Sequence, residues 1–347
     1  MGAAALERRR AKAARRSAVL QPRAPVRGLA ALASLWWTLG WMAVAAAVLV
    51  HGQVTEALDA RWLALPCGGL FVNLAAALVT NERLRRQPGL LVFHVGLAVL
   101  ALTAMAGRLT ALSGSVEVTQ GSAFDAGLVT AKAAPLHPWG LGKVNFVQGP
   151  FRIDYEPGLQ RRHTHSTLFV PAAGGAWDAV DVGDDRPLKM FGYRFYTTPN
   201  KGFALLLTYI GPDGQRQTGA VHLPSYPMND YKQSNSWQMP DGGPMLDLWL
   251  DMPNPVLAQD AAWTFHVPED STLVVGLGGR RHELKPGQEV RVGDARLRYE
   301  DLRAWMGYTV FYDPTLPWLA AAALVACAGL GWHAVAKIRA VSGEADA

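Results

Sequence analysis

Residues 87–107 read QPGLLVFHVGLAVLALTAMAG, a stretch without a charge bracketed by Arg86 and Arg108. At ~1.5 Å per residue, a helix of this length crosses a hydrocarbon core of ~30 Å. It holds a single titratable side chain, His94. An ionisable group at bilayer depth costs free energy unless it has a partner or a task, which makes His94 the first candidate functional residue. Three more windows, 28–50, 62–81 and 314–336, also lack Asp, Glu, Lys and Arg. Four such windows mark an integral membrane protein rather than a soluble enzyme with one buried helix.

The net charge of +5 is unevenly placed. Residues 1–27 carry eight Lys and Arg against Glu7, so this tail is +7 and the rest of the chain −2. A basic tail before a first span reads as a topology signal and a contact for anionic headgroups. Nucleic-acid binding would want a folded basic surface with stacking aromatics, and neither is evident. The tail is expected to be cytoplasmic and without a packed core. The 28–50 window is longer than the h-region of a cleaved leader, so it reads as an anchor. Arg83, Arg85 and Arg86 fall in the short 82–86 loop, and Lys337 and Arg339 follow the last window. All of these place both chain ends inside, with the region between the third and fourth spans outside. Residues 337–347 then form a second cytoplasmic tail.

The region 112–313 alternates in the period-2 manner of strands, for example at Val116–Val118, 151–155, 193–197 and 308–312, with Pro, Gly, Asn and Asp between the runs. It reads as an all-β sandwich- or barrel-like domain. The expected fold is thus four transmembrane helices plus a large extracytoplasmic β domain between the third and fourth. Cys67 and Cys327 both fall within spans and no CxxC or CxxCH occurs, which disfavours thiol redox chemistry and covalent haem. No P-loop, GxGxxG or Ser-His-Asp spacing is evident.

His94 sits ~10 Å into its helix from the inner end, and His333 ~6 Å from the same side in the fourth span. Each adjoins small residues at helical spacing: Ala98 and Ala101 beside His94, Gly329 and Ala326 beside His333. Such stripes either let helices approach closely or leave room for a flat apolar ring. A buried histidine that only bonds a neighbouring helix is the plainer reading, and His333 is near enough to an end to reach the interface. Trp36, Trp37 and Trp41 in the first span read as packing residues. His163 and His165 share a strand face with no third ligand nearby. His137, His222, His266 and His282 show no spacing signal.

Several short motifs, in order, resemble the ResB family of System II cytochrome c biogenesis proteins. Asn81 and Arg83 close the second span. His94-Val95-Gly96-Leu97 opens the third. Gly114, Val116, Val118 and Gly121 start the β region, and Pro187-Leu188 with Gly192-Tyr193-Arg194-Phe195-Tyr196 follows. Tyr308 to Pro314 leads into the last span. The chain departs from the family at Gln120, Arg186 and Thr197, and its β domain is short. The resemblance implies haem handling at the bacterial inner membrane. A CcsA/ResC-type membrane partner would pass haem b outward to apocytochrome c, as part of a haem-attachment complex, with a thiol-reducing protein as a further partner. Imidazole is a good axial ligand for haem iron, so His94 and His333 become the haem-binding candidates. Two rival functions are kept: a membrane-bound b-haem electron-transfer subunit using His94 and His333 together, and an assembly scaffold without haem.

Overall fold

The computed structural model describes residues 24–55, 60–228, 231–252 and 260–345. They divide into two units. One holds the helices and the segment Ala134–His137; the other is a β domain of Leu112–Ala133 and Pro138–Tyr312.

The helical unit contains α1 (Ala24–Leu32), α2 (Leu35–Thr55), α3 (Ala64–Thr80), α4 (Glu82–Arg86), α5 (Pro88–Thr110) and α6 (Leu316–Ala345). Among the described residues, four helices are long and apolar enough to cross a membrane: α2, α3 with the turn before it, α5 and α6. The window expected over 28–50 is interrupted. The helix breaks at Ala33–Ser34, restarts at Leu35 and runs to Thr55, so His51 lies inside α2 rather than past its end. The cause is a buried asparagine on α3. Asn73 Nδ2 donates to the carbonyls of Leu32 (2.6 Å) and Ser34 (3.1 Å), and its Oδ1 accepts from Thr38 Oγ1 (2.7 Å). The Leu32 carbonyl at the break therefore finds a donor, as an apolar surround demands, while the Ser34 carbonyl also accepts from the Trp37 N–H. Substituting leucine for Asn73 removes the donor to Leu32, at a cost of about 1–3 kcal/mol. The expected result is a lower thermal midpoint in detergent; an unchanged midpoint would show that the break is held by other contacts. The last helix is also longer than expected, continuing past residue 336 to Ala345. Residues 1–23 of the basic tail lie outside the described residues.

Between α3 and α5, Asn81 caps α4 by accepting from the Arg83 N–H (3.0 Å), and Pro88 occupies the first turn of α5. The antiparallel pair α5–α6 is the tightest in the unit. A Cβ built on Gly89 would lie 2.6 Å from the His333 nitrogen, one on Gly96 2.6 Å from that of Ala326, and one on Gly107 2.5 Å from Thr315 Oγ1. Each step along α5 is matched by the same step back along α6. At Gly89 and Gly96 glycine is needed because the facing backbone leaves no space for a methyl group, and at Gly107 the obstacle is the Thr315 hydroxyl just before α6. At the end of this pair, Asp313 accepts from the Thr315 N–H (2.9 Å) and lies 3.8 Å from Arg108.

The β domain comprises β1 (Leu112–Thr119), β2 (Thr130–Ala133), β3 (Val147–Glu156), β4 (Gln160–Pro171), β5 (Trp177–Gly183), β6 (Leu188–Met190), β7 (Tyr193–Ile210), β8 (Arg216–His222), β9 (Ser234–Gln238), β10 (Met245–Asp251), β11 (Trp263–Thr264), β12 (Thr272–Leu277), β13 (Arg280–Leu284), β14 (Glu289–Val292) and β15 (Ala295–Tyr312). Its helical content among the described residues is limited to single 3-10 turns. One sheet runs β2-β1-β15-β7-β6, with β14 on β15 and β8 on β7; the two smaller sheets run β13-β12-β10-β9 and β11-β3-β4-β5.

The spine is the antiparallel ribbon of β7 and β15. Short alternating runs at 193–197 and 204–209 are expected as separate strands, as are 297–299 and 308–312. Each pair is one continuous strand here. Register shifts between Met306 and Tyr308 allow this, with Thr198 to Asn200 bulging opposite Gly307. The bulge absorbs Pro199, which a flat central strand would not accept. Phe146, Tyr193, Phe195, Leu205, Tyr299 and Tyr308 fill the core beside this ribbon. Tyr308 donates to Gln148 Oε1 (2.6 Å) and lies 2.7 Å from Ser166 Oγ, so its buried hydroxyl is satisfied.

One core residue runs against the pattern. Lys201 is 2% exposed and donates to the Tyr155 hydroxyl. Its ammonium lies 4.6 Å from the Tyr155 ring centroid and 5.7 Å from that of Phe265. Burial brings the lysine down to about 8 and pushes the Tyr155 phenol up to about 12. Desolvation disfavours the charged form of each.

Candidate functional site

His94 projects from α5 and is half-buried. Its Nδ1 is 2.8 Å from the Leu90 carbonyl, one turn back. A carbonyl only accepts, so Nδ1 carries a proton, which leaves Nε2 as the ring nitrogen open to a further partner. Metal-binding imidazoles are oriented in the same way, by a backbone acceptor on the other nitrogen. The Phe93 ring meets His94 edge-on at 5.1 Å. On its own helix His94 shares a side with Ala98 and Ala101, both buried, and with Met105, which lies against Gly68 of α3. His94 thus belongs to the α3-facing side of α5.

His333 belongs to another surface. It falls on the α6 stripe of Ala322, Ala326 and Gly329, all buried, that packs on α5, with its backbone against Gly89. At 100° per residue, His94 is turned about 140° around α5 from Gly89. The α5–α6 register also puts His94 level with Ala328, about 7.5 Å along the axis from His333. The similar depth expected for the two rings is replaced by a difference in level and in face. The small residues near His333 are occupied by helix packing. The structure does not bring the two histidines together as a facing pair. Of the tryptophans in α2, Trp41 packs onto Gly69 of α3, Trp37 stacks on Trp41 at 6.3 Å, and Trp36 is exposed.

Three of the other histidines, His137, His165 and His266, make local contacts. His163 and His165 are exposed on β4, and His165 lies 3.6 Å from Asp181. His137 is buried, with Nδ1 donating to the Thr110 carbonyl (2.8 Å). His266 Nδ1 donates to the Thr264 carbonyl (2.9 Å). Among the described residues no three His, Cys, Asp or Glu gather in a metal-binding group.

His222 is the exception that spacing could not reveal. Its Nδ1 is 2.7 Å from Glu117 Oε2, its Nε2 is 2.7 Å from Thr119 Oγ1, and its ring stacks on Trp305 at 5.4 Å. The hydrogen-bonding partners Glu117 and Thr119 are more than a hundred residues away in the chain, on β1, and meet His222 of β8 across the β7–β15 ribbon. With Nδ1–H donating to the carboxylate, Nε2 is left to bond the threonine hydroxyl, which can donate or accept. This group stands at a cleft of about 600 Å³ in the β domain, which Glu117, Thr119 and His222 help to line. A neighbouring recess of about 420 Å³ shares Glu117 and His222 and adds Trp305.

No curated protein matches this chain. The model of the ResB-like family matches residues 75–341, from within α3 through the β domain and most of α6. That span includes His94, the α5–α6 contact and the whole β domain. The chain belongs to the ResB-like family, which is associated with cytochrome c biogenesis.

Proposed function

We propose that this protein is a cytochrome c maturation subunit of the bacterial cytoplasmic membrane. Its four apolar helices cross the bilayer with both chain ends inside, and the β domain lies on the periplasmic side. A CcsA/ResC-type partner completes the haem path, and apocytochrome c receives the haem outside. Basic flanks at 83–86 and at Lys337 and Arg339 support the orientation.

The observation that carries the reading is His94: a half-buried imidazole in an apolar helix, with Nδ1 tied to Leu90 and Nε2 left for a ligand. His94 would hold the iron of a b-type haem through Nε2. Haem, when bound, would supply an iron that takes an imidazole nitrogen. This chain's contribution is to hold one ring in the correct tautomer and orientation, on a helix locked against α6. The second ligand then comes from the partner, because His333 is on another face and another level. A haem clamped between His94 and His333 within one chain would need both rings on one face, so the electron-transfer alternative is disfavoured by the helix register.

Purification of the chain with its partner is expected to yield a b-type haem spectrum. His94→Ala should reduce haem content at least tenfold while leaving the complex assembled, and added imidazole should restore part of it. His333→Ala should leave haem content within twofold. Equal loss from either substitution would favour the one-chain haem, and no loss from His94→Ala would remove the haem role from this residue.

A further inference from the structure

The seven-stranded sheet of the β domain has four strands with only one neighbour: β2, β6, β8 and β14. Three of them are short, at three or four residues. Two of these carry a lysine, Lys132 in β2 and Lys189 in β6, and β6 follows Pro187. Short length, lysine and proline are the usual means by which sheet edges resist pairing with another chain. Strand β8 has none of these. It runs seven residues, Arg216-Gln-Thr-Gly-Ala-Val-His222, and its first five residues are exposed.

The outward backbone groups of β8 can be assigned. The Leu223 N–H donates to the Phe203 carbonyl just past the strand, so in the antiparallel alternation Val221, Gly219 and Gln217 bond to β7. Thr218, Ala220 and His222 then point their N–H and C=O groups away from the sheet. The His222 carbonyl bears this out, since it accepts from Asn235 Nδ2 (2.8 Å) on the outer side. Ala220 and His222 also line the 600 Å³ cleft, so a strand laid along β8 would aim alternate side chains over it.

The cleft has a definite charge. Its lining includes two carboxylates, Glu117 and Asp125, and neither lysine nor arginine. Glu117 is about half-exposed and bonds His222, while Asp125 accepts from the Gly127 N–H. Hydroxyls of Ser115, Thr198 and Thr309 share the lining with apolar Val116, Val118, Ala123 and Leu128. A cleft with carboxylates and apolar walls, next to an unprotected strand edge, matches an extended backbone bearing basic side chains whose hydrocarbon stems lie on those walls.

We propose that β8 and this cleft seat an extended, lysine-bearing polypeptide as an added strand. The proposal rests on the reading above, in which apocytochrome c receives haem on the side where the β domain lies, and it locates where that unfolded chain docks. Backbone N–H and C=O groups at Thr218 and Ala220 supply the pairing. Glu117 and Asp125 select basic side chains at every second position, and the His222–Glu117 bond fixes the carboxylate beside the strand end.

The test uses the full chain in nanodiscs of uncharged phosphatidylcholine. The probe is a fluorescent twelve-residue peptide of alternating lysine and threonine, followed by anisotropy. Expected binding weakens at least tenfold when glutamate replaces the lysines, and at least tenfold when alternate peptide nitrogens are methylated. Ala220→Pro, which removes an outward N–H and spares the β7 ladder, should weaken it tenfold or more. E117Q with D125N should weaken it about fivefold. The proposal is overturned if the glutamate peptide binds equally, if methylation has no effect, or if no binding is seen. It is also overturned if the chain instead dimerises through β8 and the peptide fails to compete. Haem content measured after co-purification with the partner separates the two readings. Haem without peptide binding removes the groove alone, and peptide binding without haem removes the haem path alone.

Discussion

Substituting leucine for Gly96 destabilises the helical unit by about 3 kcal/mol, at the upper end of what overpacking usually costs. The atoms in the way are backbone: a Cβ at this position lies 2.6 Å from the Ala326 nitrogen and 2.8 Å from its Cα. A side chain could swing aside, but α6 can only move as a rod. Separating the pair also disturbs Gly89 against His333 and Gly107 against Thr315. Gly331→Leu on α6 is the matched control, because nothing lies within 4 Å of a Cβ there. Thermal or denaturant unfolding in detergent should show a large loss for the first and little change for the second. Equal behaviour would mean that the two helices are not held by this close approach.

The second large effect is a pH response of the β domain centred on Lys201. Its folded value of about 8 lies below the 10.5 of the free side chain, so the unfolded chain binds the proton more tightly. Stability is therefore lowest below pH 8, where the ammonium is buried, and rises as the pH climbs from 8 towards 10.5. The full difference is worth about 3 kcal/mol. Tyr155, Tyr226 and Tyr299 act in the opposite sense. Each is raised to about 12 from 10 by burial, so stability is lost as the pH climbs from 10 to 12. Denaturation of the full chain, followed by the near-ultraviolet signal of the β domain, should show a maximum near pH 10. Lys201→Met should abolish the rise between pH 8 and 10. At pH 7 it should stabilise the domain by about 1–2 kcal/mol, since it removes a desolvated charge but also loses the cation–π contacts and the bond to Tyr155. A pH rise that survives in Lys201→Met would assign it to another group.

The helices were legible because their signal is local. A run without charges, long enough for a bilayer, is readable from composition alone, and His94 stands out in such a run as the sole titratable group. The break at Ser34 was not legible, because it depends on Asn73 forty residues away. The small residues around His94 and His333 suggested either close packing or a ring-sized space. For α6 the answer is packing, and only the α5–α6 register could decide it. The local alternation of strands was readable too, but joining two runs across Pro199 or Gly307 needed the partner strand that accommodates the bulge.

By itself, the sequence determined that this chain has four membrane-length apolar helices, a β-rich region between the last two, and one imidazole deep in the third. These follow from hydrophobic run length and period-2 alternation, which act over a few neighbouring residues. The tertiary structure alone decided that His94 and His333 lie on different faces, that Lys201 is buried among aromatic rings, and that Glu117, Thr119 and His222 meet beside an open strand edge. Each of these depends on side chains brought together by helix register or sheet order. Contacts across a hundred residues leave no trace in local spacing.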